Sequence, residues 1–332
     1  MRIALRDASQ EEWNKAYADD KNSTYSQSVN WNSLWAAFQG YELAPKRVYA
    51  DDAFVGILPM LVYKRWYESQ YISGIRGYGG ILDAQGVALH QRERINEAIS
   101  NTLKTFYLLD NPFALFNESI GVIPSIRARS IVNIQYLDLR NGFDVQFKKW
   151  SKGHRSAAKK GIRDGVIVKR AKTLEEWHQY YDVYLDSLRR WGDTASSRYP
   201  WELFNSIFEL HDDRIVLWIA IFGEDVVAGS LCFYGLRHIA YWHGASMESH
   251  FDIKAPHVLQ NRIAENAADN HIYWYDMLSS GNHAGVEKFK KGFAAETLSV
   301  AQIDVRPIIF SSLSKMKARL MKLHWQTKPK SV

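Results

Sequence analysis

Hydrophobic and polar positions along this chain form two blocks that read alike. In the first, Ser9-Gln10-Glu11-Glu12-Trp13 opens a helix with a capping box, the serine hydroxyl and the Glu12 carboxylate serving each other's backbone amides. Val48-Tyr49-Ala50 then reads as a strand, and Ala53-Phe54-Val55-Gly56-Ile57-Leu58-Pro59 as its partner across an acidic turn. After the midpoint, Thr173-Leu174-Glu175-Glu176-Trp177 repeats the capping box. Ile215-Val216-Leu217-Trp218-Ile219-Ala220 repeats the first strand, and Asp225-Val226-Val227-Ala228-Gly229-Ser230-Leu231 the strand bearing a glycine. The boxes lie 164 positions apart and the glycines 173, a drift that a longer loop in the second copy accounts for. The duplication predicts two similar lobes with a site shared between them.

Between these landmarks the pattern supplies the remaining elements. The first lobe continues through a glycine-rich stretch, Gly74 to Gly80, a helix from about Gln91 to Phe106, and a strand at Phe113 to Phe116. The glycine stretch lacks the spacing and the following helix of a dinucleotide-binding fingerprint, so it reads as an irregular turn whose amides could form an anion nest. Ile134 to Leu139 alternates as a strand. A helix beginning near Asp144 is expected to break at Gly161 and Gly165 ahead of a strand at Val166 to Val168. The helix after Thr173 presents Trp177, Tyr181, Tyr184, Leu188 and Trp191 on one face and stops at Gly192. A short helix over Trp201 to Leu210, a third strand at Ile239 to Gly244, a helix from Pro256 to Ala268 and a strand from Ile272 to Met277 complete the second lobe. Helices alternating with a mostly antiparallel meander predict an α/β (α+β) class with mixed sheets, not a doubly wound nucleotide fold. The expected division is 1–135 for the first lobe, 136–310 for the second with its leading basic segment, and 311–332 for a tail.

Composition narrows the function classes. With 332 residues the chain is long enough for two cores, and 12 Trp and 18 Tyr furnish amphipathic rings that line pockets as readily as they fill interiors. The single Cys232 lies in an apolar strand and reads as a buried thiol. Arg2, Arg6 and Asp7 interrupt any secretory leader, and the longest apolar run, Ile215 to Phe222, is far too short to span a bilayer, so a cytoplasmic location is expected. The net charge of +6 is unevenly placed. Seven basic residues and no acidic ones lie between Val305 and Val332; the rest of the chain carries 35 basic and 36 acidic residues. In that tail Phe310, Leu313, Met316, Leu320, Met321, Leu323 and Trp325 interleave with lysines at helical spacing, as in a helix on an anionic membrane face or on an acidic partner; a frayed, solvated terminus is the plain alternative. A second cluster runs from Lys148 to Arg170, nine cations against Asp164 alone, which suits a polyphosphate.

Several of these segments together resemble the Fem-type (FemAB) aminoacyltransferases. The likeness lies in Tyr241-Trp242-His243-Gly244-Ala245-Ser246, the helix after Pro256, the strand ending at Asp276, and above all Phe289-Lys290-Lys291-Gly292-Phe293. The stretch from Arg155 to Val168 resembles that family's basic segment, and Gln27-Ser28 with Trp31 and Gly56 to Pro59 resemble its first lobe. The resemblance implies two tandem acetyltransferase-like (GNAT) lobes. It also implies transfer of an aminoacyl group from charged tRNA to an amine of a peptidoglycan precursor, or, as in related proteins, acylation of a sugar in envelope polysaccharide synthesis. Two departures bear on the acceptor. Trp35 stands where members acting on the nucleotide-linked muropeptide carry a lysine, and the long helical arm of some members is absent.

Acyl transfer to an amine needs a neutral nucleophile, a donor held in line and stabilisation of the oxyanion. The resemblance assigns the electrostatic role to Lys290, with Phe289 fixing its position. Asp276, ahead of Leu278-Ser279-Ser280-Gly281, could accept a proton or orient the amine, or could simply cap a turn. Tyr241 and His243 alternate along one strand and are expected to share a face, His243 as a base or as a satisfied core histidine. Arg155, Lys159, Lys160, Arg163 and Lys291 are the candidate phosphate ligands. Six of the eleven histidines fall between His238 and His283 without the spacing of zinc ligands, so no metal and no permanently bound cofactor is expected. The co-substrate is aminoacyl-tRNA or acyl-coenzyme A. The segment from Ser246 to Pro256 has no glycine to form the usual coenzyme A loop, although a helix N-terminus binds phosphate without one. The partners expected are this donor, an envelope precursor and, through the tail, the membrane. The rival reading is an RNA- or membrane-binding protein that keeps the fold without the chemistry; both cationic clusters serve it equally.

Overall fold

In a computed structural model of the chain, residues 1–66, 68–82, 89–103, 105–114, 128–192, 195, 198–281 and 283–305 are described. The first half contains β1 (Ile3–Asp7), α1 (Gln10–Asp19), α2 (Val29–Gln39), β2 (Glu42–Leu43), β3 (Lys46–Ala50), β4 (Ala53–Leu58), β5 (Leu61–Arg65), β6 (Glu68–Ser73), α3 (Leu89–Thr102), β7 (Phe106–Leu109) and β8 (Ala128–Asp138). The second half leads in with α4 (Phe143–Lys149) and α5 (Lys152–Arg163). It continues with β9 (Ile167–Arg170), α6 (Leu174–Trp191), α7 (Trp201–Phe208), β10 (Ile215–Phe222), β11 (Asp225–Tyr234), β12 (His238–Ser246), α8 (Ala255–Asp269), β13 (Trp274–Ser279), α9 (Ala284–Gly292) and β14 (Glu296–Val305). From β1 and from β9 the order runs alike: a strand, two helices, a meander, a helix, a strand and a closing strand, with α9 inserted before the closing strand of the second half. Both capping boxes are made, with Ser9 serving the Glu12 amide and Thr173 the Glu176 amide. Each glutamate returns a bond to its cap. Such caps contribute about 1 kcal/mol each.

The strands form a three-stranded sheet, β1-β3-β4, and one continuous sheet in the order β2-β5-β6-β7-β14-β8-β13-β12-β11-β10-β9. The closing strands are exchanged. β8, which ends the first half, pairs with β13 of the second, and β14, which ends the second, pairs with β7 of the first; β8 and β14 pair with each other from Glu296↔Tyr136 to Ile303↔Ala128. The expected boundary at 135/136 therefore falls inside β8. A core cluster also crosses between the halves, with Tyr25, Trp31, Leu34 and Trp35 packed with Trp177, Tyr180, Phe204 and Phe233.

Each lobe has one parallel pair, joined by a crossover helix. β6 meets β7 only over Tyr71–Ser73 against Phe106–Leu108, and β12 meets β13 only over His238–Ala240 against Trp274–Asp276. Beyond those contacts the strands part. In the first lobe the glycine-rich turn fills the gap. Gly79 bridges to Asp110, and a Cβ there would lie 2.3 Å from the Ser73 carbonyl carbon. The turn's amides are spent on this packing: Gly79 on the Leu109 carbonyl, Gly80 on the Ser73 hydroxyl and Tyr78 on the Ser26 hydroxyl. That leaves no nest of free amides at these three positions. In the second lobe the corresponding gap faces the first lobe.

Some sequence expectations shift. The strand expected at Phe113 to Phe116 is instead β7, four apolar residues inserted between β6 and β14; Phe113 lies buried in a turn, and residues 115 and 116 fall outside the described residues. Gly161 does not break its helix. It lies within α5, where a Cβ would meet Val258 at 2.5 Å and the Ile253 carbonyl at 2.8 Å, so its role is close approach to α8; Gly165, at φ +96°, marks the turn after the helix. The buried face of α6 is Trp177, Tyr180, Val183, Tyr184 and Ser187, rotated from the expected one. The basic tail, 311–332, lies outside the described residues. Among those described, no helix is long and apolar enough to cross a membrane.

Exchange of the closing strands predicts a single cooperative unit. The chain should unfold in one thermal transition by circular dichroism, and fragments 1–138 and 139–332 expressed separately should show none. A cooperative melt from either fragment alone would contradict the exchange.

Candidate active site

A cleft opens where β12 and β13 part. The first lobe contributes Thr24, Tyr25, Ser26, Trp31, Arg76, Gly77 and Tyr78, and the second contributes Phe233, His238, Ala240, Trp242 and Leu278. The aromatic walls are locked edge to face: Trp31 sits 4.8 Å from Phe233 and 5.7 Å from Trp242, centroid to centroid. The Trp31 indole donates to the Ile75 carbonyl at 2.8 Å, which pins α2 to the glycine-rich turn. Among the described residues no carboxylate lines the cleft. Arg76, exposed and at φ +53°, brings a guanidinium 5.6 Å from the Trp35 ring.

Trp242, in line with His238 and Ala240 along β12, is also the site of a bulge. Cys232 pairs with Tyr241 and Leu231 with His243, leaving Trp242 as the extra residue. Tyr241 and His243 consequently do not share a face, contrary to the alternation expected of a regular strand. Tyr241 turns back into the core with Cys232 and α8, where burial pushes its phenol up to about 12. His243 turns forward among Tyr184 and Phe204, with Nδ1 2.6 Å from the Tyr180 hydroxyl. Burial depresses its pKa to about 3, so the ring is neutral at pH 7 and serves as a packed partner of Tyr180.

Beneath the cleft is a polar cluster. Asp276 is fully buried; its Oδ2 accepts from the Tyr78 hydroxyl at 2.9 Å and lies 3.3 Å from His238 Nε2, and its Oδ1 accepts from the Leu278 amide at 2.7 Å. Tyr78, pushed well up by burial and by the Asp276 charge, stays a donor. Leu278 is held at φ +58°, a strained conformation for a branched residue, at the point where β13 slips register against β8. Lys290, on α9 and 4% exposed, donates to the Leu278 carbonyl at 3.0 Å and approaches Gln135 Oε1 at 3.5 Å. Gln135 also accepts from Ser280 at 2.7 Å. Asp276 and Lys290 thus grip opposite ends of one strained peptide at the cleft edge. Burial lowers Lys290 to about 8, opposed by Asp276.

The rest of the Phe-Lys-Lys-Gly-Phe motif is explained by packing. Phe289 and Phe293 close around His154 and His257, and Phe293 meets Trp150 at 4.7 Å. A Cβ on Gly292 would fall 2.1 Å from the His154 ring. Lys291 points outward to Glu287 at 2.6 Å, away from the cleft cluster. Of the other basic candidates, Arg155 caps the carbonyls of Lys148 and Trp150, Lys160 pairs with Asp164 at 2.6 Å, and Arg163 reaches Asp164 at 3.3 Å. Lys159 is exposed. None of these four lines the cleft. His238 carried no motif in the sequence, and Arg76, Tyr78, Trp242 and Leu278 lay in segments that stood out without being read as site residues. Only the alternation of His238, Ala240 and Trp242 ahead of a helix marked them as one face. Among the described residues no three His, Cys, Asp or Glu side chains converge as metal ligands.

Residues 148–291 match the family model described as acetyltransferase (GNAT) domain. That match spans most of the second lobe, and the repeated topology gives the chain the fold of two tandem GNAT-like lobes. Among solved structures the chain is similar to FemX, with a TM-score of 0.68 at 13% identity over 92% of this chain and 97% of that one. It is also similar to the C-terminal domain of a putative lysylphosphatidylglycerol synthetase from Agrobacterium fabrum, with a TM-score of 0.56 at 10% identity over 94% and 97%. A protein of unknown function from Bacteroides thetaiotaomicron VPI-5482 gives 0.53 at 12% identity over 90% and 99%. At these identities the likeness establishes the Fem-type tandem GNAT fold. No curated protein sequence matches the chain.

The buried lysine gives a signed pH prediction. Lys290 falls from the ordinary 10.5 to about 8 in the folded state. Below pH 8 the folded chain bears the whole cost of a buried ammonium. Between pH 8 and 10.5 the unfolded chain holds more protons, and that cost fades as pH rises. Stability of the native chain relative to Lys290→Met should therefore rise by up to about 3 kcal/mol across that window, read by urea unfolding at successive pH values. A difference that stays flat would show that the ammonium is not buried.

Proposed function

We propose that the interlobe cleft is the active site of an acyltransferase that moves an aminoacyl or acyl group onto an amine of a cell-envelope precursor. The GNAT match over 148–291 supports the reaction class. The observation that carries the reading is the buried Lys290 drawn up behind the strained Leu278 peptide, at the point where the parallel pair opens toward the other lobe. Lys290 is not itself in the cleft lining; its charge, held in a water-poor setting on the Leu278 carbonyl, acts from behind that lining residue on an oxyanion developing at the cleft edge. Asp276 takes a positioning role, since both of its oxygens are already engaged.

The acceptor enters between the aromatic walls, with Arg76 at the mouth for an anionic group such as a carboxylate or phosphate. The donor is aminoacyl-tRNA or an acyl-coenzyme A, both polyanions. Lys148, Lys149, Lys152 and Lys159, on α4 and α5, form no ion pair among the described residues and supply its phosphate contacts, whereas Arg155 and Lys160 are engaged in holding that segment together. The fold likeness to FemX and to the domain of a putative lysylphosphatidylglycerol synthetase supports an aminoacyl donor.

Thermal unfolding in the presence of acetyl-coenzyme A, alanyl-tRNA and uncharged tRNA distinguishes the donors, because a ligand that binds only the native state raises its stability. Alanyl-tRNA is expected to raise the melting temperature more than uncharged tRNA does. With the donor that binds, Lys290→Met should lower turnover at least a hundredfold, about the effect of removing one oxyanion donor, while leaving a cooperative melt. Unchanged turnover in the folded variant would remove Lys290 from the mechanism.

A further inference from the structure

We propose that His238 is the general base that takes the acceptor amine's proton, with Asp276 as its orienting carboxylate. The inference rests on the acyl-transfer reading above. His238 lines the cleft at its floor and is 1% exposed. Its Nε2 lies 3.3 Å from Asp276 Oδ2. A carboxylate can only accept, so Nε2 carries the hydrogen and Nδ1 is left with a lone pair. That Nδ1 is buried and has no hydrogen-bond partner. Buried polar atoms in folded proteins are nearly always paired, so an orphan acceptor at the floor of a cleft marks a place that a ligand's donor fills.

The groups around His238 sort themselves by elimination. Tyr78, on the glycine-rich turn, is committed as a donor to Asp276. Phe113 packs against the imidazole at 4.7 Å, with Trp274 stacked behind it. Lys290 reaches the far side of the Leu278 peptide, and Arg76 stands at the mouth. Neither cation can accept a proton from an ammonium while itself charged. Tyr25, also in the lining, donates to Asp212 at 3.0 Å. Among the described residues that line the cleft, His238 alone offers an unpartnered lone pair on an imidazole.

An alkylamine arrives as an ammonium and has to lose a proton before its nitrogen can attack. As the new C–N bond forms and the donor's C–O or C–S bond breaks, the ammonium's three protons are accounted for. One stays on the amide nitrogen, one passes to the leaving oxygen or sulfur, and one is taken by His238 Nδ1 and released to solvent. Asp276 stabilises the imidazolium while it lasts, as the aspartate of a serine-hydrolase triad does.

The test compares two nucleophiles. Ethanolamine is protonated at neutral pH and needs the base; methoxyamine is already neutral and does not. With acetyl-coenzyme A and alanyl-tRNA as donors, His238→Gln should lose about a hundredfold or more in kcat/KM toward ethanolamine and less than about fivefold toward methoxyamine. Equal losses toward both nucleophiles in a variant that melts cooperatively would overturn the assignment and make His238 a packing residue. If the glutamine variant does not fold, His238→Asn is measured in the same way and read by the same criterion. Absence of turnover by the wild-type chain with either donor would instead overturn the acyl-transfer reading, and this inference with it.

Discussion

The antiparallel pairing of β8 with β14 is the constraint on which the rest of the molecule depends. Each strand ends one half of the chain and pairs on its other side with the last strand but one of the opposite half. Neither lobe can complete its sheet alone, and the two are fixed relative to each other by backbone hydrogen bonds as well as by side-chain packing. A cleft between independently mobile domains would have to be closed by its ligand. Here the walls stand ready at fixed separation, and less binding energy is lost to ordering.

Duplication supplied two equivalent gaps between parallel strands, and the lobes use them differently. In the first, Gly79 and Gly80 bring backbone so close to Ser73 and Asp110 that no side chain would fit, and the gap is closed. In the second, the gap holds Ala240, Trp242 and Leu278, and the closed turn of the first lobe leans over it with Arg76, Gly77 and Tyr78. The filled copy thus becomes a wall of the open one. Strain concentrates at the same place: Arg76 and Leu278, on opposite sides of the cleft, both adopt positive φ without being glycine. Leu278 is held there by Asp276 from below and Lys290 from behind, so charge and conformation at the cleft edge are coupled.

Much of this was legible in the sequence because local rules and tertiary demands agreed. The two capping boxes, the glycine strands and the long α6 were readable from spacing alone, and the repeat pointed to a shared site. β14, α9 and α2 were not read, and β7 was misplaced: the run of Phe106 to Leu109 is continuous with a helical pattern and becomes a strand only because β6 and β14 flank it. Gly161 looked like a helix breaker because its function, contact with Val258, lies 97 positions away in the chain. The bulge at Trp242 was equally invisible, and it puts Tyr241 and His243 on opposite faces of the strand. Lys290 and Asp276 stood out by motif. His238 and Tyr78 did not, since a buried histidine shows its free nitrogen only when its neighbours are in place.

The central claim is that transfer takes place in this one interlobe cleft. Ala240, half-buried on its wall, is the register partner of Asp276 and shares a face with His238, and enlarging its side chain fills the cleft while every group assigned to the chemistry is kept. The decisive measurement is turnover by Ala240→Phe with the donor that binds the wild-type chain, alongside its thermal unfolding. The account predicts loss of at least a hundredfold in turnover with a melting temperature within a few degrees of wild type, as blocking a preformed site demands. Undiminished turnover in that folded variant would place the chemistry elsewhere on the molecule.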